Sequence, residues 1–355
     1  MGNPDLDQHA SAPGCRQATD VDQQPAIEKL RALADLCTPF AVRVAASLGV
    51  AGLIASGTRE LSELAQACGA NEDALGRLLR YLARKDLFTE PSPGQFELTE
   101  TGRLLADEDP IGPAAWLDLS GASARADLAY AGLLHSVRTG EPGYAAVHGR
   151  TFWQDVDAES AYELFYNQVM AAEHQHHGPS VAALCDWATV DLVVDVGGGS
   201  GALLAELLRA HPHLRGMLVD RDALTDATGR KLADWGLADR VQVMPGDFFG
   251  TLPAGGDVYV ISRLLSDWDD AHAEAILRQC GEAAGTRGRV LIVELLHGDP
   301  FVPHGTAFDL FMLTVMGGRE RTPDEFVAIA RRAGLTSARI LHGPDGLLLV
   351  ECARS

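Results

Sequence analysis

The beginning of the chain divides into a polar stretch and an apolar helical stripe. Residues 1–24 are rich in Pro, Gly, Asp and Gln and lack apolar periodicity, so we predict a disordered tail. From Ala26 to about Leu53, apolar side chains such as Ile27, Leu30 and Leu33 recur at the spacing of one helical face. Such a stripe normally buries against a large neighbouring surface.

Residues 58–105 have the pattern of two short helices, a turn and a hairpin around Pro91–Gly94, which is the outline of a winged helix. A winged helix suggests DNA, but residues 59–109 hold six Arg or Lys against eleven Asp or Glu. A recognition helix needs a basic face to neutralise phosphates. We therefore predict that residues 25–110 form a winged-helix-like dimerisation domain, with a DNA-binding regulator as the less favoured alternative.

Helical patterns fill most of residues 111–187, with a break at "TGEPGY". The second half of this region contains several large apolar side chains, which either belong to a core or form the wall of a hydrophobic pocket. We predict a helical linker region that lines the substrate pocket. These side chains are Phe152, Trp153, Tyr162, Phe165, Tyr166 and Met170.

After Asp186 the pattern changes to short apolar runs that alternate with helical segments. The runs are "VDLVVDV", "GMLVD", "RVQVM", "DVYVIS" and "RVLIVE", which predict five strands joined by helical crossovers. The last two runs, "SARIL" and "GLLLVECA", are separated by the short turn "HGPDG" and predict an antiparallel hairpin. Residues 188–355 should therefore form an α/β domain with a doubly wound, mainly parallel sheet.

Candidate ligand-binding residues follow the first three predicted strands of this domain. The turn "GGGSG" at residues 197–201 allows a ligand to approach the backbone closely. Asp220 ends the second strand about twenty residues later, where a carboxylate can accept both hydroxyls of a ribose. Asp247 and Phe248 follow the third strand and offer an acceptor for an adenine amino group and a ring that can stack on it.

Composition and charge narrow the class of protein. The chain has 355 residues, of which 46% are hydrophobic and 22% charged, a composition typical of a globular protein of up to two domains. The net charge of −20 repels nucleic acid and anionic membranes, so we predict neither as a partner. The six cysteines form no C-x-x-C motif, and no signal-like start or apolar run of about 20 residues is present. We predict a cytoplasmic enzyme that acts on a small molecule.

Several motifs together resemble one known family. In order and spacing, "DVGGGSG", "MLVD", "GDFF", "SDW", "IVE" and "MGGRERTPDEF" resemble the class I S-adenosylmethionine-dependent O-methyltransferases of the caffeic acid and bacterial polyketide-tailoring type. The match covers nearly the whole chain, because the winged-helix region and "GRTFW" also look like that family. The resemblance implies a Rossmann-like methyltransferase sheet, S-adenosylmethionine as cofactor and a homodimer.

The same resemblance implies roles for individual residues. Gly197, Gly199 and Gly201 would surround the amino acid end of the cofactor, Asp220 would hold the ribose, and Asp247 and Phe248 would hold the adenine. Ser262 occupies the position that contacts the cofactor carboxylate, where plant relatives carry lysine. The implied substrate pocket, suited to an aromatic or polyketide-like molecule, is lined by Phe165, Tyr166, Met170, His174, Phe308, Phe311, Met312 and Val315.

The catalytic motif departs from the family at one position. Plant-like members carry His-Asp-Trp, in which the histidine removes the phenolic proton, whereas this chain has Ser266, Asp267 and Trp268. The glutamates that orient this histidine correspond to Glu294 and Glu320. We predict Asp267, Glu294 and Glu320 as catalytic residues. Ser266 is not expected to act as a base, because a hydroxyl is very weakly basic at neutral pH.

Four explanations for the missing histidine remain open. Positioning against an electrophilic methyl group can suffice without a base, or another residue, such as His174, His177 or His304, can accept the proton. Alternatively the nucleophile is nitrogen or carbon, or methyl transfer has been replaced by hydroxylation, decarboxylation or rearrangement. We favour O-methylation by SN2 transfer without a histidine base. No metal is predicted, because the histidines near residue 176 lack carboxylate or thiol partners at ligand spacing.

Overall fold

A computed structural model of the protein describes residues 20–158, 160–296 and 306–354. These residues form two compact units. The first unit comprises the described residues up to Glu108 together with Leu117–Leu119, and the second comprises Asp109–Trp116 and the described residues from Ser120 onward. The helical region predicted at residues 111–187 is thus almost entirely part of the same unit as the sheet.

The first unit contains the two short helices and the hairpin that the sequence predicted. Asn71 caps the second of these helices, α5, by accepting a hydrogen bond from the Ala74 backbone N–H at 3.0 Å. Leu75, Leu79 and Leu82 then form the buried face of α5. The elements of this unit are α1 Asp20–Leu33, α2 Cys37–Ser47, α3 Val50–Ala55, α4 Leu61–Cys68, α5 Glu72–Ala83, β1 Phe88–Ser92, β2 Gln95–Leu98, α6 Glu100–Arg103 and the 3-10 turn Leu104–Ala106.

The beginning of the first unit differs from the prediction in two respects. The tail was predicted to reach residue 24, but α1 begins at Asp20, and the Gln24 side chain donates a hydrogen bond to Glu28 at 3.1 Å within that helix. Residues 1–19 lie outside the described part of the chain. The apolar stripe of residues 26–53 is divided among α1, α2 and α3, and Gly49, at φ 62°, separates the last two. Its second half is buried within the unit, whereas its first half is exposed.

Six helices follow the elements of the first unit in sequence and precede the first strand of the sheet. The predicted break at "TGEPGY" is present, because α9 ends at Thr139, Gly140 follows at φ 79°, and α10 begins at Gly143. The longest of these helices, α12, carries most of the aromatic side chains noted above. The six are α7 Pro113–Leu117, α8 Ala124–Leu128, α9 Leu133–Thr139, α10 Gly143–His148, α11 Phe152–Ala158 and α12 Ser160–Leu184, with a 3-10 turn at Ala129–Gly132.

The second unit is built on a seven-stranded sheet in the order β5-β4-β3-β6-β7-β9-β8. The five predicted strands pair in parallel, and the predicted hairpin β8–β9 adds an antiparallel edge through β7 and β9. This confirms the predicted doubly wound, Rossmann-like sheet. The strands are β3 Leu192–Val196, β4 Arg215–Asp220, β5 Val241–Pro245, β6 Val258–Ser262, β7 Arg289–Leu295, β8 Ser337–His342 and β9 Leu347–Ala353.

Apolar clusters cover both faces of the sheet, as its near-continuous hydrophobic strands require. Val194 and Ile292 face one cluster, and Val193 and Leu291 face the other. The remaining helices are α13 Ala202–Ala210, α14 Asp222–Asp234, α15 Asp270–Ala284, α16 Ala307–Phe311 and α17 Pro323–Arg332, with a 3-10 turn at Leu265–Asp267 and a π-helix at Met312–Met316.

Candidate functional site

The carboxyl ends of β3, β4, β5 and β6 meet where the strand order changes direction, because the chain leaves β3 towards β4 on one side and returns to β6 on the other. Open α/β sheets bind ligands at such a point. A cavity of about 320 Å³, here called the first cavity, lies there. It is lined by Trp153, Asp157, Tyr166, Asn167, Met170, His174, Gly197, Gly199, Ser200, Asp220, Arg221, Leu224, Gly246, Asp247, Phe248, Phe249, Ser262, Arg263, Leu264, Asp267 and Trp268.

The glycine turn after β3 presents backbone to the first cavity. Gly197, Gly199 and Gly201 have φ angles of 70°, 53° and 75°, which other residues rarely adopt. Gly197 and Gly199 line the cavity. Gly201 was predicted with them, but it caps the start of α13 and its α-carbon faces Leu232, so it stands behind the cavity wall.

Asp220 ends β4 and is held at the cavity wall by backbone donors. The Gly199 N–H donates to its Oδ2 at 2.8 Å and the Arg221 N–H to its Oδ1 at 2.7 Å. Burial raises the pKa of Asp220, although these two hydrogen bonds oppose the shift. The carboxylate is therefore fixed in direction and largely removed from water, which strengthens any bond that it accepts from a ligand.

A second carboxyl group, Asp195, is buried behind the turn. Neither of its oxygens has a hydrogen-bond partner among the residues that the structure describes. Burial, followed by the nearby Asp220, raises the pKa of Asp195 to about 7. A Cβ atom at Gly198 would lie 2.6 Å from Asp195 Oδ2, so the middle glycine of the turn is required by close packing.

An aromatic cluster forms the wall beyond β5. Asp247 and Phe248, which were predicted to hold adenine, line the first cavity, and Asp247 Oδ1 accepts a hydrogen bond from the Phe249 N–H at 2.9 Å. Trp268 lies edge-on to Phe249, with ring centroids 4.9 Å apart, and stacks on Trp153 at 6.4 Å. The buried indole N–H groups of Trp153 and Trp268 have no hydrogen-bond partner in the described residues.

Ser262 and His174 form a buried pair on the same cavity. The Ser262 hydroxyl lies 3.0 Å from His174 Nε2, and both side chains line the first cavity. Burial lowers the pKa of His174 to about 4. His174 was predicted in the substrate pocket, but it belongs to the first cavity, because this hydrogen bond turns its ring towards the end of β6.

A second cavity, of about 150 Å³, adjoins the first. Phe165, Tyr166, Met170, Phe308, Phe311 and Met312 were predicted as pocket wall, and all six line it. Tyr166, Met170, Arg263 and Asp267 line both cavities and mark the place where they meet. The complete lining consists of Trp116, Ala122, Ser123, Ala126, Phe152, Val156, Tyr162, Phe165, Tyr166, Val169, Met170, Glu173, Arg263, Asp267, Phe308, Phe311, Met312 and Met316.

Val315 was also predicted as pocket wall, but it lines neither cavity. Its side chain is buried in a core cluster with Ala126, Ala129 and Tyr144. The π-helix Met312–Met316 explains the difference, because its wider turn changes the face on which successive residues lie. The family resemblance that implied Val315 as pocket wall carries no information about this local change of helix type.

Arg263 was not predicted as a site residue, although it directly follows the last residue of β6. Its backbone has φ 53°, an unusual value for a residue other than glycine. The buried guanidinium donates to Glu173 at 3.1 Å and to Glu294 at 3.2 Å, and it lies over the ring of Phe308. Its position directly after a central strand of the sheet is the sequence signal that could have identified it as a site residue.

Ser266 faces away from both cavities. Its hydroxyl donates to Glu294 Oε2 at 3.2 Å, and its backbone N–H donates to Glu294 Oε1 at 3.3 Å. Glu294 also accepts the Leu265 N–H at 3.1 Å. Glu294 is buried and lines neither cavity, so it anchors the backbone of the 3-10 turn that carries Asp267.

Arg321 holds the other side of the same turn and was also missed by sequence reasoning. Its guanidinium donates to the Leu265 carbonyl at 2.6 Å and to the Trp268 carbonyl at 2.7 Å. Its side chain is fully buried, so these bonds replace hydration that it has lost. The turn is thus clamped between a carboxylate on its N–H groups and a guanidinium on its carbonyls.

Asp267 is the predicted catalytic residue that the structure brings to the junction of the two cavities. Only 4% of its surface is exposed. Burial, and next the charge of Glu294, raise its pKa to about 8, while Arg263 opposes the shift. The Tyr166 hydroxyl lies 3.5 Å from its Oδ2, a long hydrogen bond.

Glu320 was predicted as a catalytic partner, but it lines neither cavity. Its carboxylate accepts a hydrogen bond from the Thr306 hydroxyl, and its backbone N–H donates to Asp309 at 3.0 Å. These contacts tie Glu320, the second residue after Gly317 and Gly318, to the start of α16. No histidine stands at position 266 for this carboxylate to orient.

Of the alternative bases, His174 and His177 do not line the second cavity. Burial lowers the pKa of His177, which lies beside His176 and lines neither cavity. His304 lies outside the described residues. Across those residues, no three histidine, cysteine or acidic side chains are grouped to hold a metal ion. None of the described helices is long and apolar enough to span a bilayer.

Two family descriptions match the chain. An O-methyltransferase domain matches residues 130–336, and an O-methyltransferase dimerisation domain matches residues 30–108. The second match covers the hairpin unit for which the sequence predicted dimerisation.

Individual relatives cover most of the chain. A 2,7-dihydroxy-5-methyl-1-naphthoate 7-O-methyltransferase of Streptomyces carzinostaticus is 46% identical over 322 residues, which are 91% of this chain and 96% of the relative. An aclacinomycin 10-hydroxylase of Streptomyces purpurascens is 42% identical over 316 residues, covering 87% and 84% of the two chains. Similarity at this level therefore includes a hydroxylase as well as methyltransferases.

Solved structures agree with the fold. An O-methyltransferase from neocarzinostatin biosynthesis, in complex with S-adenosyl-L-homocysteine and 1,4-dihydroxy-2-naphthoic acid, is 45% identical with a TM-score of 0.85 and covers 92% of this chain and 98% of its own. A complex of that enzyme with S-adenosylmethionine and 2-hydroxy-5-methyl naphthoic acid has a TM-score of 0.84 at 44% identity, with the same two coverages.

Proposed function

The chain belongs to the S-adenosylmethionine-dependent O-methyltransferase family, and on that premise we propose that it methylates a hydroxyl group of a fused-ring aromatic acid. The observation that carries this proposal is the pair of adjoining cavities, one lined by glycines, carboxylates and aromatic rings and the other largely apolar, which share Asp267 and Arg263. A transfer reaction needs this arrangement, because donor and acceptor must meet in line.

The residues of the first cavity suit S-adenosylmethionine. Asp220 and Asp247 offer carboxylates for ribose hydroxyls and an adenine amino group, and Phe248 offers a ring face. The buried Ser200 hydroxyl and the indole N–H groups of Trp153 and Trp268 lack partners among the described residues. When bound, the cofactor supplies an electrophilic methyl group on a positively charged sulfur.

The cofactor assignment is tested by Asp220→Ala. Loss of a charge-assisted contact worth about 1.5–3 kcal/mol should weaken binding of S-adenosylmethionine by at least about tenfold. Asp222→Ala is the control, because Asp222 is exposed two positions further along and lines neither cavity. Equal calorimetric affinity in the Asp220 variant and the wild type would overturn the assignment.

The second cavity suits an aromatic acid with a hydroxyl group. Phe165, Phe308 and Phe311 supply apolar walls, and Arg263 is the cationic residue of the lining. The relatives named for naphthoates act on molecules of this kind. The Arg263 guanidinium is paired with Glu173 and Glu294, so the carboxylate of the proposed substrate is inferred from those relatives and not from an unpaired cation in the lining.

Ser266 takes no part as a base in this proposal. Its hydroxyl donates to Glu294 and faces away from both cavities. The chain contributes instead by holding the acceptor hydroxyl at the junction, by excluding water with the aromatic wall, and by fixing the turn that carries Asp267. Proximity of this kind is worth about 7–11 kcal/mol of barrier.

The substrate assignment is tested with a panel of hydroxynaphthoic acids and naphthols. Each is incubated with the protein and S-adenosylmethionine, and the product masses are measured. A product heavier by one methylene group from a hydroxynaphthoate supports the proposal. Turnover of naphthols without a carboxylate, combined with none of the acids, would contradict the assignment of an acidic substrate.

Hydroxylation is the second candidate, because a 10-hydroxylase is 42% identical and the histidine position holds serine. The same mass measurement distinguishes it, since a hydroxylated product is heavier by one oxygen atom and leaves the cofactor intact. Release of S-adenosylhomocysteine in equal amount to product excludes it.

We also propose that the protein is a homodimer. Leu30, Leu33, Leu36 and Phe40 are large apolar side chains of α1, α2 and their connection, and all four are exposed in the single chain. They lie at the start of the region matched by the dimerisation domain. A second copy would remove these side chains from water.

A further inference from the structure

We propose that the Asp267 carboxylate accepts the proton of the substrate hydroxyl, in the role for which this chain has no histidine. The proposal rests on the function proposed above, and it refines the expectation that the site works by positioning alone. It depends on where Asp267 lies, on which groups around it can accept a proton, and on what holds it in place.

Four residues line both cavities, and only one of them can accept a proton. Met170 has no basic group. Burial, followed by Asp267, raises the pKa of Tyr166 well above its usual value, so its phenol stays protonated. Burial lowers the pKa of Arg263, but Glu294 and Glu173 outweigh this and raise it overall. Asp267 is the remaining group at the junction.

Among the residues that the structure describes, the Asp267 carboxyl has no ion-pair partner. Arg263 directs its hydrogen bonds at Glu173 and Glu294 instead. One Asp267 oxygen, Oδ2, has the long contact of 3.5 Å with the Tyr166 hydroxyl. Within the described residues no donor reaches the other oxygen, Oδ1, which leaves it available to a substrate hydroxyl in the second cavity.

Burial makes this carboxylate a stronger base than usual. Its desolvation and the charge of Glu294 raise the pKa of Asp267 to about 8, with Glu173 in the same direction and Arg263 and Tyr166 opposed. A base is most effective when its pKa lies near the working pH. A cation in the first cavity would favour the ionised, proton-accepting form.

Two other groups near the junction, His174 and Glu173, are engaged with neighbouring side chains. Burial lowers the pKa of His174 to about 4, and its Nε2 is engaged with Ser262. Glu173 lines the second cavity but is paired with Arg263 at 3.1 Å. Burial has therefore inverted the usual order, so that a carboxylate here is more basic than an imidazole.

The clamp on the turn explains how Asp267 keeps its place without a histidine beside it. Glu294 binds the N–H groups of Leu265 and Ser266, and Arg321 binds the carbonyls of Leu265 and Trp268. Glu294 thus positions the backbone of the proton acceptor. This is the role of the buried glutamate in a chain that carries serine in place of histidine at position 266.

The step balances as follows. The substrate hydroxyl proton moves to an Asp267 oxygen, and an electron pair of the substrate oxygen forms the new bond to the methyl carbon. The electron pair of the broken carbon–sulfur bond stays on sulfur. Asp267 then releases its proton to solvent before the next turnover.

The first test compares Asp267→Asn with the wild type on hydroxynaphthoates of graded hydroxyl acidity. Loss of a base should reduce kcat by about 100-fold or more on weakly acidic hydroxyls, within the range of about 10²–10⁴. On a nitro-substituted member that is already ionised at the assay pH, the loss should be under about tenfold. Asp269→Asn is the control, because Asp269 caps α15 from an exposed position and asparagine retains that cap.

An equal loss on every member of the series would overturn the proposal, because a residue that only positions the substrate does not respond to hydroxyl acidity. This result would leave the methyltransferase assignment intact. Absence of methyl transfer by the wild type to every member would instead contradict the proposed function.

The second test does not depend on turnover. The probe 4-nitro-1-naphthol is titrated by calorimetry into the protein with S-adenosylhomocysteine at about pH 9, where the probe is an anion and Asp267, with a pKa of about 8, is mainly ionised. Binding of the naphtholate beside Asp267 should draw a proton onto that carboxyl, because two adjacent buried anions repel each other, so the wild type should take up a proton from the buffer and Asp267→Asn should not. Proton uptake is obtained from the binding enthalpies in buffers of different ionisation enthalpy, and equal uptake by the two proteins would refute proton acceptance by Asp267.

Discussion

Individual buried residues decide the chemistry of this site, because burial changes which of them are basic. Asp195 and Asp267 have raised pKa values, whereas the pKa of His174 is lowered. Residue type alone pointed to the histidines as alternative bases, and the sequence contains no sign of how deeply each group is buried. The sequence did indicate Asp267 as a site residue, since it follows a central strand.

Ser266→Ala is expected to lower kcat by less than about tenfold. The substitution removes one hydrogen bond to Glu294, worth about 1 kcal/mol, and leaves both backbone N–H bonds to that carboxylate intact. The measurement is kcat on a hydroxynaphthoate that the wild type methylates, with cofactor affinity as the check on folding. A loss of a hundredfold or more with binding intact would mean that the hydroxyl itself takes part in proton transfer.

Asp195→Asn should stabilise the cofactor-free protein more at pH 8 than at pH 5. The folded pKa of about 7 exceeds the usual value of about 3.9. The stability associated with the protonated form is therefore present below about pH 4 and is lost as the pH rises through 7. Asparagine does not titrate, so the free energy of unfolding of the variant relative to the wild type should rise by roughly 3 kcal/mol between pH 5 and pH 8. Thermal unfolding measures it, and a difference in Tm that is independent of pH would contradict the shift.

At the scale of elements, the strands and their ends could be predicted from the sequence. The helix face on which a residue lies, and the side chains that hold the 3-10 turn Leu265–Asp267, could not. Apolar runs located the seven strands, and the switch point then followed from the order of crossovers. Val315 was misplaced because the family resemblance does not reveal the local π-helix, which changes the face on which Val315 lies. Glu320 and Arg321 are adjacent in one motif, yet only the guanidinium reaches the catalytic turn. Which of the two side chains reaches the turn depends on the backbone conformation of a loop, and loops have no periodic pattern in the sequence.

Gly318→Ala should displace the 3-10 turn Leu265–Asp267, which carries the catalytic Asp267, by steric contact with its backbone. A Cβ atom at this position would lie 2.0 Å from the Ser266 carbonyl and 2.8 Å from that of Asp267, so the turn must move. We expect kcat to fall at least tenfold, because small displacements of reacting groups are costly, and Tm to fall by several degrees. Cofactor affinity should change much less.

Gly229→Ala is the matched control for this prediction. Gly229 lies within α14, and nothing lies within 4 Å of a Cβ atom built there. Alanine should keep or raise the stability of that helix. Equal effects of the two substitutions on Tm and kcat would show that contact with the turn is not the cause.

At the scale of the whole molecule, the acidic chain joins a methyltransferase-type unit to a unit matched by a dimerisation domain. The charge of −20 and the acidic hairpin unit argue against nucleic acid as a partner. The apolar stripe from Ala26 was detectable in the sequence. The exposure of the first half of this stripe could not be predicted. Residue spacing indicates that a helix has an apolar face, but not whether other parts of the same chain cover that face.

We expect light scattering at low micromolar concentration to give the mass of two chains of 37.8 kDa each. Leu33→Glu should weaken the dimer, because Leu33 is 76% exposed in the single chain and a charge there opposes burial. Arg77→Glu, a charge reversal at an exposed position on α5, is the control. A monomer mass for the wild type would contradict the proposed dimer.

The central claim is transfer of a methyl group to the oxygen of an aromatic acid, and the atom that receives the methyl group tests it most directly. The protein is incubated with S-adenosylmethionine labelled with ¹³C in its methyl group and with the hydroxynaphthoate that it turns over. The ¹³C chemical shift of the product, with its coupling to the ring, then identifies the acceptor atom. The account predicts an aryl methyl ether, with the label on a former hydroxyl oxygen. Label on a ring carbon or a nitrogen, or an unlabelled product that has gained oxygen, would contradict it.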